Sequence, residues 1–174
     1  MVCAIGLLLS LLAGCGPDVG GAGAVRLDAE QGLVGVFGLC NGFGELSTIT
    51  LYASKVDGEL GDPVIELERA GPAPAGRVVE VPLQAPPAPW HARAAASELD
   101  PGLVYELRAW NKDGMSTVAS FPFRIGELRD RPDTAKSVLT KAYSRSKDGR
   151  ERYDATFSTP EGFHDLVTGR CGAA

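Results

Sequence analysis

The chain has 174 residues, of which 44% are hydrophobic and 22% charged, a composition that is typical of a globular protein and excludes a disordered one. Its 22 Gly and 12 Pro favour strands joined by turns, and its length suits a single domain. The net charge of −5 argues against general nucleic-acid binding, so we expect no nucleic-acid partner.

The N-terminal segment contains an apolar run, Ala4–Leu12, which is shorter than the roughly 20 residues that a membrane-spanning helix needs. The run leads into Leu12-Ala13-Gly14-Cys15, which resembles the lipobox of bacterial lipoproteins. The resemblance implies that residues 1–14 are a signal peptide and that Cys15 carries lipid. The membrane is then a partner through this anchor, on the extracytoplasmic face of the cell membrane. An ordinary secretory signal and a free Cys15 in a buried helix remain as alternatives.

The residues after the lipobox have few side chains to bury. Residues 15–23 include the Gly20-Gly21-Ala22-Gly23 run, which gives the backbone much freedom. We therefore predict a flexible tether over 15–23 and a domain that begins at residue 24.

Short apolar or β-branched runs then recur, separated by Gly, Pro, Asn and Asp, which is the pattern of an antiparallel sheet protein. Their spacing is typical of a β-sandwich and predicts a domain over residues 24–125. The predicted strands are Ala24–Asp28, Leu33–Cys40, Ser47–Ser54, Val64–Glu68, Arg77–Leu83, His91–Ala96, Leu103–Asn111 and Ser116–Ile125.

A segment near the seventh predicted strand gives the fold a more specific interpretation. Leu99, Pro101, Gly102 and Tyr105 resemble the corner before strand F of fibronectin type III domains, and related immunoglobulin-like sandwiches share this corner. The resemblance implies that the Tyr105 ring packs at the corner while its hydroxyl bonds to upstream backbone. It implies a sandwich scaffold and no binding residues.

The last 49 residues, 126–174, exceed what a seven-stranded sandwich needs, so we expect a C-terminal extension packed on it. Residues 138–145 and 150–157 flank Asp148-Gly149 and predict a β-hairpin. The alternative is a helix from Thr134, because apolar residues recur there at helical spacing. A short helix is expected over 159–167, docked by its apolar residues Phe163, Leu166 and Val167. The whole plan resembles that of small actinobacterial lipoproteins.

Two cysteines remain for the exported domain once Cys3 has left with the signal and Cys15 has taken lipid. Because exported thiols usually pair, we predict a disulfide between Cys40 and Cys171. These cysteines and the distant His91 and His164 do not have metal-ligand spacing, so no metal site and no cofactor is predicted.

No catalytic residues can be assigned, because neither histidine belongs to a recognisable motif. Two interpretations are open for Trp90 and Trp110. Either the two rings form an aromatic binding face, or one ring lies in the core and the other at a corner. Residues 124–152 hold nine Lys/Arg against five Asp/Glu, which predicts either a basic patch or a solvated pair of strands. We expect a non-catalytic envelope module that binds a protein or a cell-wall polymer. A small envelope enzyme with a polar cleft around a histidine is the alternative.

Overall fold

The computed structural model describes residues 18–30, 32–54, 59–71, 77–130, 137–145 and 151–172. Within these ranges the chain is mostly β, with eleven strands in one curled open sheet and a helix at the C-terminal end. The elements are β1 (Asp18–Asp28), β2 (Gly32–Leu39), β3 (Leu46–Ser54), β4 (Leu60–Arg69), β5 (Val78–Pro82), β6 (Trp90–Ala94), β7 (Val104–Asn111), β8 (Ser116–Ala119), β9 (Pro122–Arg124), α1 (Ile125–Arg129), β10 (Val138–Arg145), β11 (Glu151–Ser158) and α2 (Pro160–Gly172).

The strand order centres on β1, which pairs with three other strands. The main path is β11-β10-β1-β8-β7-β3-β4-β6, while β2 and β5 branch from β1 and β9 lies beside β7. β1 is antiparallel to β2 along residues 21–28 and parallel to β8 along residues 18–22. Because one strand joins both sides, the sheet curls and encloses apolar side chains.

Two apolar cores result from this arrangement. The larger core contains side chains from both sides of the curled sheet, such as Phe37 of β2, Ile49 of β3 and Leu107 of β7. The smaller core lies on the other face of β1 and β2, where Val36 packs with Phe163 and Val167 of α2. β2 is therefore buried on both faces, which explains its almost continuous apolar sequence.

All eight predicted strand regions contain a strand, but β1 and β4 begin several residues earlier than predicted and one predicted strand is divided. β1 begins at Asp18, so residues 18–23 belong to the sheet and not to the predicted tether. The glycines are required there by packing, since a Cβ on Gly21 would lie 2.3 Å from the Gly38 carbonyl oxygen. The glycine run, whose composition suggested a flexible chain, instead lies where two strands pack closely together.

The strand predicted over 116–125 is divided. β8 pairs with β1 and β7, β9 pairs with residues 104–106, and α1 follows directly from Ile125. Ile125 and Leu128 of α1 are buried, so the segment adds to the core after it leaves the sheet.

The hairpin prediction for the C-terminal extension is confirmed, and the helix alternative is wrong. β10 and β11 pair antiparallel from Val138↔Ser158 to Arg145↔Glu151, while the predicted turn at Asp148-Gly149 lies outside the described residues. β10 also pairs with β1, so the hairpin extends the sheet and does not pack on it as a separate layer.

The short C-terminal helix is longer than predicted, because α2 runs from Pro160 to Gly172. The Thr159 hydroxyl accepts a hydrogen bond from the Gly162 backbone N–H at 3.2 Å and caps the helix. Phe163 and Val167 are buried as expected, whereas Leu166 is 41% exposed and does not dock the helix. Along a helix Leu166 is turned about 100° from Val167 and about 60° from Phe163, so it lies at the side of the buried stripe.

Candidate functional site

The predicted disulfide is confirmed. Cys40 follows β2, and Cys171 lies in the last turn of α2. Their sulfur atoms are bonded, and their Cα atoms lie 5.1 Å apart. The helix approaches β2 closely, because a Cβ on Gly38 would lie 2.1 Å from a Val167 methyl group. The disulfide links the C-terminal helix to the end of β2, and the absence of a side chain at Gly38 leaves space for the helix to pack closely against the strand.

The residues assigned to a corner lie just before β7, in the case of Leu99, Pro101 and Gly102, and at its start, in the case of Tyr105. Tyr105 is 2% exposed, and its hydroxyl donates a hydrogen bond to the Asp100 carbonyl oxygen at 3.1 Å. The Gly102 N–H donates to the Asp100 carboxylate, while Leu99 packs against the larger core and Pro101 is exposed. Burial raises the pKa of the Tyr105 phenol. The hydroxyl-to-backbone contact that the resemblance implies is present.

Cys15 and the rest of the predicted signal peptide lie outside the described residues. In the part of the chain that the structure does describe, no helix is long and apolar enough to span a membrane.

The two histidines do not form a common site in the described structure. His91 lies on β6 and His164 on α2, and both are exposed. A carboxylate oxygen of Asp165 lies 3.8 Å from the His164 ring nitrogen Nδ1. Over the described ranges, no group of three potential metal-ligating side chains occurs.

The two tryptophans occupy opposite faces of the sheet. Trp110 lies in one cross-strand row with Thr48, Glu68 and the exposed His91. Trp90 is the neighbour of His91 on β6, so its ring points to the other face, where it is buried in the larger core. They do not form a common aromatic surface.

The basic segment 124–152 is partly neutralised by internal ion pairs. Lys141 lies 2.7 Å from the Glu127 carboxylate and is 10% exposed, while Arg152 pairs with Asp154 at 2.6 Å. Arg124 donates to the Gly102 carbonyl oxygen. The described part of this segment resembles a solvated pair of strands more than an open basic patch.

The surface cavities lined by described residues include the following three. One of about 180 Å³ lies between β10 and α2, and one of about 290 Å³ lies beside β9 and Lys141. The third, of about 320 Å³, is lined by Glu45, Ser47, Arg69, Gly71 and Lys112, and we call it the Arg69 cavity. Neither histidine lines any of the three.

Arg69 is a buried charge with incomplete hydrogen bonding. It ends β4 opposite Trp90, with its guanidinium carbon 5.8 Å from the indole centroid, and its side chain is 2% exposed. Its Nη2 atom lies 3.7 Å from a Glu45 carboxylate oxygen, whereas Nε and Nη1 are buried and have no hydrogen-bond partner in the part of the chain that the structure describes. Buried donors without partners are costly, and native proteins rarely keep them.

The charges around Arg69 favour an additional anion. Burial lowers the pKa of its guanidinium, and the Glu45 carboxylate opposes this effect only in part. Glu45 is 49% exposed, so much of its charge is solvated. Lys112 is exposed at the rim, and its backbone N–H donates to the Glu45 carbonyl oxygen at 3.0 Å. The cavity thus has two cationic side chains, one carboxylate and the Ser47 hydroxyl.

The sequence interpretation did not select Arg69, because it ended the fourth strand at Glu68. The period of two along Ile65, Leu67 and Arg69 was the signal that could have found it, since the first two face the core. An arginine at the next inward position is a charge on a core-facing row.

Comparison with family models, with curated proteins and with solved structures finds no match for this chain.

Proposed function

We propose that this chain is a lipid-anchored module on the extracytoplasmic face of the membrane, with an immunoglobulin-like sandwich scaffold. We propose further that it binds, without catalysis, an oxyanion group of a protein or a cell-wall polymer in the Arg69 cavity. The single observation that carries the binding proposal is the buried Arg69 guanidinium, whose two nitrogen atoms Nε and Nη1 have no hydrogen-bond partner among the described residues.

The strand pairing supports the sandwich assignment. β5-β2-β1 forms one side and β8-β7-β3-β4-β6 the other, and side chains from both meet in the larger core. β1 bridges the two sides by an antiparallel and a parallel pairing. The Tyr105 hydroxyl bond to Asp100 supports the same assignment, because this corner is typical of such sandwiches.

The disulfide supports export. Disulfides persist in oxidising compartments and are rare in the cytosol, and Cys40–Cys171 joins segments 131 residues apart. The lipobox resemblance at Cys15 then makes the membrane the site of retention.

The chemistry of the Arg69 cavity supports an oxyanion as ligand. Carboxylate and phosphate oxygens accept charge-assisted hydrogen bonds from guanidinium groups, and Lys112 adds a second cation at the rim. The carboxylate of the half-exposed Glu45 occupies part of the space where such an oxyanion would bind, with one contact of 3.7 Å to Arg69. A stronger anion displaces that contact and satisfies the arginine.

Binding is tested by NMR titration of the chain from residue 15 carrying Cys15→Ser, at constant ionic strength, with inorganic phosphate or acetate as probe. We expect saturable amide shifts at Ser47, Gly71 and Lys112. Glu45→Gln should tighten binding because it removes the competing carboxylate, whereas Arg69→Met should abolish it.

Arg93→Ala is the matched control, because Arg93 is an arginine with a 62% exposed side chain paired with Glu68 outside the cavity. It should leave the titration unchanged. A second readout separates binding from structure: Arg69→Met should be as stable as the parent or more stable, since it replaces a poorly paired buried charge by an apolar side chain. Equal phosphate shifts in parent and Arg69→Met, or a large loss of stability in Arg69→Met, would contradict the proposal.

A further inference from the structure

The two most exposed large apolar side chains among those that the structure describes lie near the start of β1: Val19 on β1 itself and Met115 in the β7–β8 turn. Val19 is 62% and Met115 68% exposed, compared with 43% for Leu103 and 41% for Leu166. They are close together, because the Asp18 N–H donates to the Met115 carbonyl oxygen at 2.9 Å and Val19 lies opposite Thr117. We call Asp18, Val19 and Met115 the β1 edge.

The position of this edge in the chain points to its partner. Since β1 begins at Asp18, only three residue steps separate it from Cys15. A fully extended chain spans at most about 3.6 Å per residue, so Asp18 of the β1 edge lies within about 11 Å of Cys15. This step rests on the proposed lipid anchor: if Cys15 carries acyl chains in the bilayer, the β1 edge must lie at the headgroup surface.

The charges at the edge distinguish between kinds of lipid surface. Asp18 belongs to the edge, and the turn before Met115 carries Lys112 and Asp113, all three of them exposed. One cation against two carboxylates gives no electrostatic preference for anionic lipid. Contact must therefore come from the apolar side chains, which lose water-exposed surface when they enter the interface.

We propose that the β1 edge is the membrane-contacting surface of the lipidated protein, and that Val19 and Met115 enter the bilayer interface beside the anchor. The partner is the lipid surface itself, and zwitterionic lipid suffices. The short connection and these two side chains orient the domain on the membrane with the β7–β8 turn toward the lipid.

The test uses the full lipidated protein in phosphatidylcholine vesicles with brominated acyl chains, which quench nearby tryptophan. Val19→Trp and Met115→Trp are compared with Leu103→Trp, a matched control that is also exposed and apolar. Leu103 precedes β7 whereas Met115 follows it, and the eight residues of β7 place them about 25 Å apart. The unsubstituted protein gives the background from Trp90 and Trp110.

We expect the added fluorescence of Val19→Trp and Met115→Trp to be strongly quenched, that of Leu103→Trp to be unaffected, and anionic lipid to change neither result. Intact mass of the reconstituted protein separates the two proposals. Absence of acyl groups on Cys15 would overturn the proposed anchor. Acylated protein without quenching at residues 19 and 115, or with equal quenching at residue 103, would overturn the membrane contact alone.

A second measurement needs no substitution at the edge. Met1 and Met115 are the two methionines of the chain, so removal of residues 1–14 leaves Met115 as the only one. Its oxidation to sulfoxide by water-soluble chloramine-T should be several-fold slower in the vesicle-anchored protein than in the unanchored chain from residue 15 carrying Cys15→Ser. Equal oxidation rates would contradict the proposal.

Discussion

Two glycines, Gly21 and Gly38, allow the N-terminal strands and the C-terminal helix to pack closely. Gly21 of β1 faces the Gly38 carbonyl oxygen at a distance that no Cβ tolerates, and Gly38 of β2 leaves room for Val167 of α2. Both positions have ordinary backbone angles, so their glycines are required by space and not by a left-handed conformation.

Substitution of Gly38 tests this packing directly. A Cβ at residue 38 would lie 2.1 Å from one Val167 methyl group and 2.9 Å from the other. We expect Gly38→Ala to lower the free energy of unfolding by about 1–3 kcal/mol, because α2 must shift. Adding Val167→Ala should recover part of the loss, since it removes both methyl groups. Chemical denaturation of the two single variants and the double variant measures this coupling; purely additive losses would contradict the contact.

Tyr105 contributes a hydrogen bond and a buried ring in separable amounts. Tyr105→Phe removes only the bond to Asp100 and should cost about 1 kcal/mol of unfolding free energy. Tyr105→Ala also leaves a cavity and should cost about 3–5 kcal/mol. Equal costs for both variants, measured by urea denaturation, would mean that the ring does not pack as described.

Tyr105 also makes the free energy of unfolding depend on pH in the alkaline range. Burial raises the pKa of Tyr105 in the folded protein, so the unfolded chain releases this proton first. The contribution is fully present below the unfolded value near pH 10 and is lost as pH rises through the folded pKa. The stability difference between parent and Tyr105→Phe should therefore shrink above about pH 10. A difference that stays constant from pH 8 to 11 would contradict this assignment.

The C-terminal elements show why the sequence favoured two interpretations of one segment. Val138, Leu139 and Thr140 are all buried, because β10 joins β1 within the sheet while its faces contact both cores. A strand buried on both faces loses its alternation, and its consecutive apolar residues then resemble a helical pattern. The hairpin was predictable from the Asp-Gly turn, whereas the pairing of β10 with β1 is a tertiary contact that no local pattern contains.

The disulfide should stabilise α2 more than the sheet. α2 buries two large side chains, Phe163 and Val167, while the strands of the larger core retain their own contacts after reduction. We expect reduction to lower overall stability by about 2–5 kcal/mol and to accelerate hydrogen exchange in α2 far more than in β3 or β7. Cys40→Ala with Cys171→Ala should reproduce the effect. Uniform acceleration across all elements would contradict it.

At the scale of the whole molecule, the sequence predicted the mostly β class, every strand region, the hairpin, the terminal helix and the disulfide. Periodicity and turn residues carry that information locally. The position of β1 against β2 and β8 was not predictable, since Gly20-Gly21-Ala22-Gly23 has the composition of a linker. The Arg69 cavity was missed because its residues come from three separate segments that only the folded sheet brings together.

The correction at β1 changes the view of the anchored protein. A nine-residue tether would let the domain move freely above the membrane, whereas a connection of three residue steps from the proposed anchor would hold the β1 edge at its surface. The Arg69 cavity includes Lys112, three residues before Met115, so it opens near the same end of the molecule. The proposed ligand site and the proposed membrane contact are therefore close together.

The proposed membrane contact and the orientation of the domain both depend on the lipid anchor at Cys15, which intact-mass spectrometry of the membrane fraction tests. We expect a protein that begins at Cys15 and carries added diacylglyceryl mass, with Cys40 and Cys171 resistant to alkylation until they are reduced. Cys15→Ser should lose both the added mass and membrane retention. Membrane retention of Cys15→Ser at the parental level, or a mature protein that begins elsewhere without lipid, would contradict the account.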